Sequence, residues 1–391
     1  MRFAVETWAP DYGAPVDAAV LDASTATVDL AVEALPDDWA PVDPGPVPPP
    51  RTVYFVDGVQ RVDARVWVTG DDGTTRQGLC ASWGAGAVRC DGRAQVVVAE
   101  VRRGVLCPGD GVEPILTMHG DYHPYPVPDG GGDPLGQALG RGRGDLEGRV
   151  AVEARAGTSC SAPMPVSVMV AAGAGTAAGW GAGTGSGSGG AGAPVGPVEP
   201  VGPAGVGPTG PGGVEVEDGV EADGIAGVGV PLGRADVRFD EDDLLVVDGP
   251  LGDRRHIPGA VGYVKAHHVS YLPPARQEVV TQLAAGQRTP LFATGAHRFR
   301  YSWYFRLPGP ATHAWWGVVR CELSGELNRD DAVRVADRVT ATLPRFASQP
   351  HNDARAPQNL HPIAGLEREL RRRLGDPLLL ERALRRAATP T

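Results

Sequence analysis

A single lysine, Lys265, stands among the 36 basic residues of this 391-residue chain, and cysteine is nearly as scarce. The lysine shortage, alongside abundant Ala, Gly, Pro and Val, matches a GC-rich coding sequence. Under such a bias, the one position that stays lysine stands out. The five cysteines (Cys80, Cys90, Cys107, Cys160 and Cys321) are odd in number and lack any C-x-x-C spacing. That argues against a disulfide framework and against a structural zinc site. No stretch offers about 18 consecutive apolar residues, so no transmembrane helix is expected. The opening MRFAVETWAPDYGAP carries Glu6 and Asp11 and lacks the apolar run of a signal peptide. Together these absences predict a cytoplasmic protein with no membrane partner.

What is present is enough for a proper core, with 42% hydrophobic residues. The length suits two domains of roughly 150 residues, or one domain with a large insertion. The net charge of −11 is uneven: residues 1–50 hold nine acids and one arginine, Arg2. The rest is nearly balanced, which leaves room for a local basic surface.

Along the chain, residues 1–50 read as an amphipathic opening (Val16 to Leu35) and a Pro-rich extended connector, PVDPGPVPPP. TVYFVDG then reads as a buried strand and RVDARVWVTG as its antiparallel neighbour. GLCASWGAGAVRC and RAQVVVAEVRRG continue the meander. A helix follows, with Leu135, Leu139, Leu146 and Val150 on one face despite its glycines. Residues 156–236 are Gly/Pro-rich and poor in large apolar side chains, so they read as a disordered insertion. Order is expected to resume over 237–391. DDLLVVDG and GAVGYVKAHH give strands, and Pro274 to Ala285 a helix. RFRYSWYFRLPG and HAWWGVVRCELSG form a hairpin. A helix capped by Asp330 and two C-terminal helices broken at Gly375-Asp376-Pro377 complete the chain. The sum is an α/β fold, a mixed sheet flanked by helices, whose two halves (51–155 and 237–391) are separated by the insertion.

Two apolar strands each run into Asp-Gly, at Asp57-Gly58 and Asp248-Gly249. Asp-Gly is also the strongest hairpin signal, so each alone is equally well a turn. Two such strands far apart in sequence point instead to a shared carboxylate site. Converging carboxylates need a cation, and hard oxygen ligands favour Mn²⁺ or Mg²⁺. Two ions roughly 4 Å apart are the usual means of phosphodiester cleavage, one activating water and the other stabilising the leaving oxygen. Glu147 is the expected third acid, with Glu100 and Glu153 as competitors. Lys265 suits a phosphate contact or, equally, a surface position. At most one of His267 and His268 shares the site, since neighbours on a strand face opposite ways. Arg345 and Arg355 are candidates for holding a DNA backbone, and Trp315 and Trp316 read as core or interface.

FVDGVQR, the helix with DLE, LVVDGPL, GYVKAHH and the closing RFASQPHNDARAPQNLHPIAGLE together resemble the NurA nuclease family, over about 51–155 and 240–375. The resemblance implies a ribonuclease-H-like fold and Mn²⁺-dependent DNA cleavage in end processing. It also implies a homodimer working with a HerA-like hexameric ATPase. It makes Asp57 the central metal ligand, Asp248 its partner and Glu147 the helical acid. It further implies a late histidine ligand, for which His361 is the nearest match and His351 or Glu367 the alternatives. The runner-up expectation is a NurA-like subunit that has lost catalysis and binds DNA ends or an ATPase.

Overall fold

The computed structural model describes residues 22–24, 26–70, 73–127, 132–157, 242–252, 257, 259–295 and 299–388. All but the first two residues of the expected insertion, and residues 16–21 and 25 of the amphipathic opening, lie outside them. In chain order the strands of the first half are β1 (Asp22–Ala23), β2 (Val28–Asp29), β3 (Thr52–Thr69), β4 (Thr75–Cys90), β5 (Ala94–Leu106) and β6 (His123–Tyr125), followed by helix α1 (Pro134–Ala156). The second half carries β7 (Asp243–Asp248), β8 (Ala260–Val264), β9 (Val269–Ser270), α2 (Pro274–Gln282), β10 (Phe292–Thr294), β11 (Arg300–Arg306) and β12 (Val318–Ser324). Helices α3 (Arg329–Thr342), α4 (His361–Arg373) and α5 (Pro377–Ala387) end the chain.

Ten strands form one mixed sheet in the order β2-β10-β11-β12-β8-β7-β3-β4-β5-β6. Its centre is parallel, with β7 between β3 and β8. Antiparallel strands extend it on both sides, β4 and β5 on one and β12, β11, β10 and β2 on the other. The expected β11–β12 hairpin is present.

The central strands read as unbroken apolar runs because both faces of the sheet are covered. Tyr54, Val56, Leu245 and Val247 pack with Leu146 and Val150 of α1. Their neighbours Val53, Phe55, Leu244 and Val246 face the opposite layer, with Val335 and Val339 of α3 and Leu366 and Leu370 of α4. Successive side chains alternate between two cores, as a strand requires. The glycines of α1 do not break it: Gly142 lies where a Cβ would be 3.3 Å from the Trp83 ring and 3.1 Å from that of Tyr125.

Two expectations need correction. TVYFVDG and RVDARVWVTG are not a strand pair but one 18-residue strand, β3, and its partner is the 16-residue β4. Asp57 and Gly58 stay extended, opposite Gly86 and Ala85. A two-residue hairpin turn of the Asp-Gly type needs positive φ at both positions, and Gly58 is not among the positive-φ glycines. The reversal falls instead beyond Thr69, where Gly73 has φ 74° and donates to the Gly70 carbonyl at 2.9 Å. The cap of α3 is Asn328, whose side chain accepts from the Asp331 amide at 2.9 Å, rather than Asp330. Asp330 and Asp331 occupy the first turn, where their charge favours the helix dipole. The break between α4 and α5 is as expected: Gly375 has φ 83°, and Asp376 accepts from the amides of Leu378 and Leu379.

Cys80, Cys90, Cys107 and Cys321 are buried free thiols; Cys160 lies outside the described residues. Among the described residues no helix is long and apolar enough to cross a membrane.

Candidate functional site

The parallel pairing of β3 and β7 runs through Val56 and Val247. The next residues on these adjacent strands are Asp57 and Asp248, on strands about 4.8 Å apart. They share the face that carries Phe55 and Val246. There β7 ends and Gly249, with φ 89°, turns the chain aside, while β3 continues. A crevice at the carboxyl ends of parallel strands is where open α/β sheets usually place ligands.

Asp57 is 7% exposed, and its Oδ1 accepts from the Gly58 amide at 2.7 Å. Burial pushes its carboxyl well above the ordinary range, and the charge of Asp248 adds to the rise. Lys265 opposes it, while Glu147 and Glu367 push further upward. The same neighbours identify the site's charged groups.

Lys265 follows β8 directly. Its Nζ lies 2.7 Å from Asp248 Oδ2 and donates to Asn359 Oδ1 at 3.1 Å. Asn359 is fully buried and donates to Asp353 Oδ2 at 2.8 Å; Asp353 Oδ1 accepts from the Arg355 amide at 2.7 Å. The lysine is therefore held from two sides and is not a surface residue.

Glu147, 2% exposed, reaches the sheet from α1 directly over Gly58. A Cβ on Gly58 would collide with Glu147 Oε1, so only glycine leaves it this place. Arg143, one turn earlier, approaches the same oxygen at 3.4 Å.

From the opposite layer, α4 contributes Glu367. Its Oε2 meets Arg355 and its Oε1 meets Arg371 at 2.8 Å. Burial alone would raise its pKa, but the hydrogen bonds and charges of Arg371 and Arg355 bring it below the usual value. His361 starts the same helix, and six residues of helical rotation place it about 120° away from Glu367. Its charged neighbours are Asp353, Arg368 and His351, and burial lowers its pKa. Of the three late candidates, Glu367 is the one whose charge acts on Asp57. His351 is exposed.

The remaining candidates fall elsewhere. Glu100 pairs with Arg102 at 2.7 Å and Arg149 at 3.7 Å on the β5 side of α1. His267 is buried 5.5 Å from Tyr304 and 5.6 Å from Trp315, and burial lowers its pKa to about 3. His268 is exposed, Trp316 is core, and Arg345 lies over the Phe346 ring. Two groups escaped sequence reasoning, Asp353 and Asn359. They sit in an aperiodic loop whose only hint was its density of polar residues. Glu322 of β12 was missed too; its Oε2 accepts from the Leu251 amide at 3.0 Å and so fixes the chain just beyond Asp248.

Asp57, Asp248, Lys265 and Glu367 thus gather from β3, β7, the end of β8 and α4, while Glu147 of α1 approaches β3 at Gly58 from the other face and acts on Asp57 through its charge. Among the described residues, no three His, Cys, Asp or Glu side chains are grouped closely enough to hold a metal ion where they now stand. No protein-family model matches the chain, and no curated protein matches it.

Proposed function

We propose that the chain is a metal-dependent DNA nuclease of the NurA type, hydrolysing phosphodiester bonds on a ribonuclease-H-like core. The observation that carries this reading is the placement of Asp57 and Asp248 side by side on parallel strands, with Lys265 paired to Asp248 and Glu147 across β3. The strand order supports the fold assignment. In β5-β4-β3-β7-β8, three antiparallel strands and α1 come first, and two strands then add in parallel to the first strand.

The donor set fits a hard divalent cation. Each candidate ligand around Asp57 is a carboxylate, and burial beside Asp248 makes Asp57 a position short of positive charge. Asp57 and Asp248 would hold Mn²⁺ or Mg²⁺, and Glu147, which reaches Gly58 from the other face of β3, would join them only by a rearrangement. His361 would join them only by a rearrangement of the start of α4. A bound divalent ion supplies the Lewis acidity that phosphodiester hydrolysis at neutral pH requires. Lys265 offers its ammonium to a phosphate oxygen, and Asn359 keeps that ammonium in place. Arg355, fixed by Glu367, lines the approach from the α4 side. The same reading carries its partners: DNA, a HerA-like hexameric ATPase and a second copy of the chain, in the cytoplasm.

The test is degradation of end-labelled single- and double-stranded DNA with Mn²⁺, Mg²⁺ or EDTA, alongside Asp57→Ala. Metal-dependent cleavage is expected. The substitution should remove more than the roughly 10–100-fold that loss of an outer supporting partner costs. No cleavage with any metal, even with the cognate ATPase added, would replace this reading with that of a DNA-end or ATPase-binding subunit.

A further inference from the structure

We propose that the groove between α1 and the β5–β6 edge of the sheet binds a mononucleotide, free or as one unit of a single strand. The groove measures about 830 Å³, within the range of small-molecule sites. It lies on the α1 face of the sheet, whereas Asp57 faces α4, so it stands apart from the reading of the Asp57 site. Its floor is β5, where Glu100, Arg102 and Gly104 alternate onto the α1 face. Trp83, opposite Arg102 on β4, and Tyr125 of β6 meet edge to face at 5.3 Å and form an aromatic wall. Two glycines make room for these rings. A Cβ on Gly104 would lie 2.8 Å from the Trp83 ring, and one on Gly142 of α1 would lie 3.1 Å from that of Tyr125.

The two ends of the groove differ in chemistry. Beside the aromatic wall, Tyr125 donates its hydroxyl to Asp145 Oδ2 at 3.3 Å, which orients an exposed acceptor. Further along, Arg102 and Arg149 approach the single carboxylate of Glu100 at 2.7 and 3.7 Å. Two guanidiniums over one carboxylate leave a net positive charge. The longer contact exceeds hydrogen-bond reach, so the Arg149 fork suits a bidentate anion. From Gly142 to Arg149 the helix rises about 10 Å, and from Gly104 to Glu100 the strand covers about 13 Å. A mononucleotide has this layout: a planar base with amine donors, a sugar, and a phosphate that guanidinium forks bind. An acidic peptide would instead meet Asp121 and Asp145 as like charges. Two buried donors of lining residues, Trp83 Nε1 and Arg103 Nε, have no acceptor among the described residues. Buried donors left unmet are rare, and they mark places where water or a ligand completes the set.

The test is equilibrium binding to the full chain in EDTA, with dAMP followed by calorimetry and fluorescein-labelled oligo(dA) by anisotropy. One dAMP per chain is expected. Arg102→Ala and Arg149→Ala should each weaken it roughly tenfold to hundredfold, as loss of a charge-assisted hydrogen bond does. Both side chains are half-exposed, so the variants keep the fold, which circular dichroism checks. Asp145→Ala should weaken dAMP as well, although it removes a negative charge. Tighter binding in that variant would mean that the groove attracts any anion, and would overturn the assignment to a nucleotide. Oligo(dA) that competes with dAMP and weakens in the same variants assigns the groove to a strand unit. Oligo(dA) that leaves dAMP binding untouched assigns it to the free nucleotide. Either result upholds the inference. Absence of saturable binding by both probes overturns it, and so does binding that both arginine variants leave unchanged. Binding abolished by Asp57→Asn would place the nucleotide at the other site and overturn it too.

Discussion

Two aspartates six residues apart on β3 are both buried, yet the fold treats them differently. Asp63 receives Arg61 Nε at 2.7 Å, the Ser82 hydroxyl at 2.5 Å and the Tyr122 hydroxyl at 3.0 Å. Three donors, one of them a guanidinium, satisfy a carboxylate in a core. Asp57 has the Gly58 amide and, around it, three further carboxylates against one ammonium, that of Lys265. An imbalance left standing at one position, when the same strand balances another, is the pattern that functional sites favour. It also has a thermodynamic sign. A carboxyl whose folded pKa is raised binds its proton more tightly when folded. Its stability contribution is therefore fully present below the ordinary carboxylate range and is lost as pH rises through the raised value. Asp57→Asn carries no such loss. Without added metal, the variant should melt about 2–4 °C above wild type near neutral pH, the shift that about 1 kcal/mol gives a domain of this size. The gain should shrink toward zero as pH falls to the ordinary carboxylate range. Melting curves across pH check this, and equal or lower melting at neutral pH would mean that Asp57 is already balanced.

At the scale of elements, the site depends on how closely α1 approaches β3. Gly58 is the contact: a Cβ there meets the flexible end of Glu147 and the Cγ of Arg143 at 2.9 Å. A flexible carboxylate can swing away, so Gly58→Ala should cost little stability yet expel Glu147 from the site. Gly86 is the control on the neighbouring strand, where a Cβ would press on Leu366 and on the Val98 carbonyl, both at 2.9 Å. Backbone cannot swing away, and Gly86→Ala should cost about 1–3 kcal/mol as overpacking. A Gly58→Ala protein with unchanged melting and more than tenfold weaker Mn²⁺ binding would tie Glu147 to the metal; unchanged binding would leave Glu147 a packing residue. This contact was not legible in the sequence, where Asp-Gly is a turn signal and nothing local reveals that β4 keeps pairing through it. The apolar runs TVYFV and LLVV were legible because both faces of the sheet are covered, and the face of α1 because its period survives its glycines. The choice among His361, His351 and Glu367 was not. It depends on the rotation of α4 against the sheet, which Leu366 and Leu370 set by packing into the core.

Across the whole molecule, the site lies on the seam between β3, from the first half of the chain, and β7 and β8, from the second. Its geometry therefore relies on long-range ties rather than on local sequence. One such tie stands well away from it. Arg288 is 1% exposed, and its guanidinium donates to Glu33 from the N-terminal segment and to Asp337 from α3, each at 2.7 Å. Glu33 also accepts from the Leu291 amide, next to β10, the strand that pairs with edge strand β2. The acidic excess of the first 50 residues thus has in Glu33 a structural role, binding the opening segment to the far edge of the sheet. Removing the arginine leaves two carboxylates near each other with partial access to water, at 18% and 22% exposure. A fully buried pair broken in this way costs about 3–5 kcal/mol, and partial hydration of the carboxylates reduces that to about 2–3 kcal/mol. Arg288→Ala should therefore lower the melting temperature by several degrees, while Mn²⁺ binding at a temperature where the protein stays folded remains as in wild type. Loss of metal binding in a still-folded variant would mean that the edge of the sheet and its parallel centre are coupled. Unchanged melting would mean that the segment from β2 to the Pro-rich connector contributes nothing to the fold.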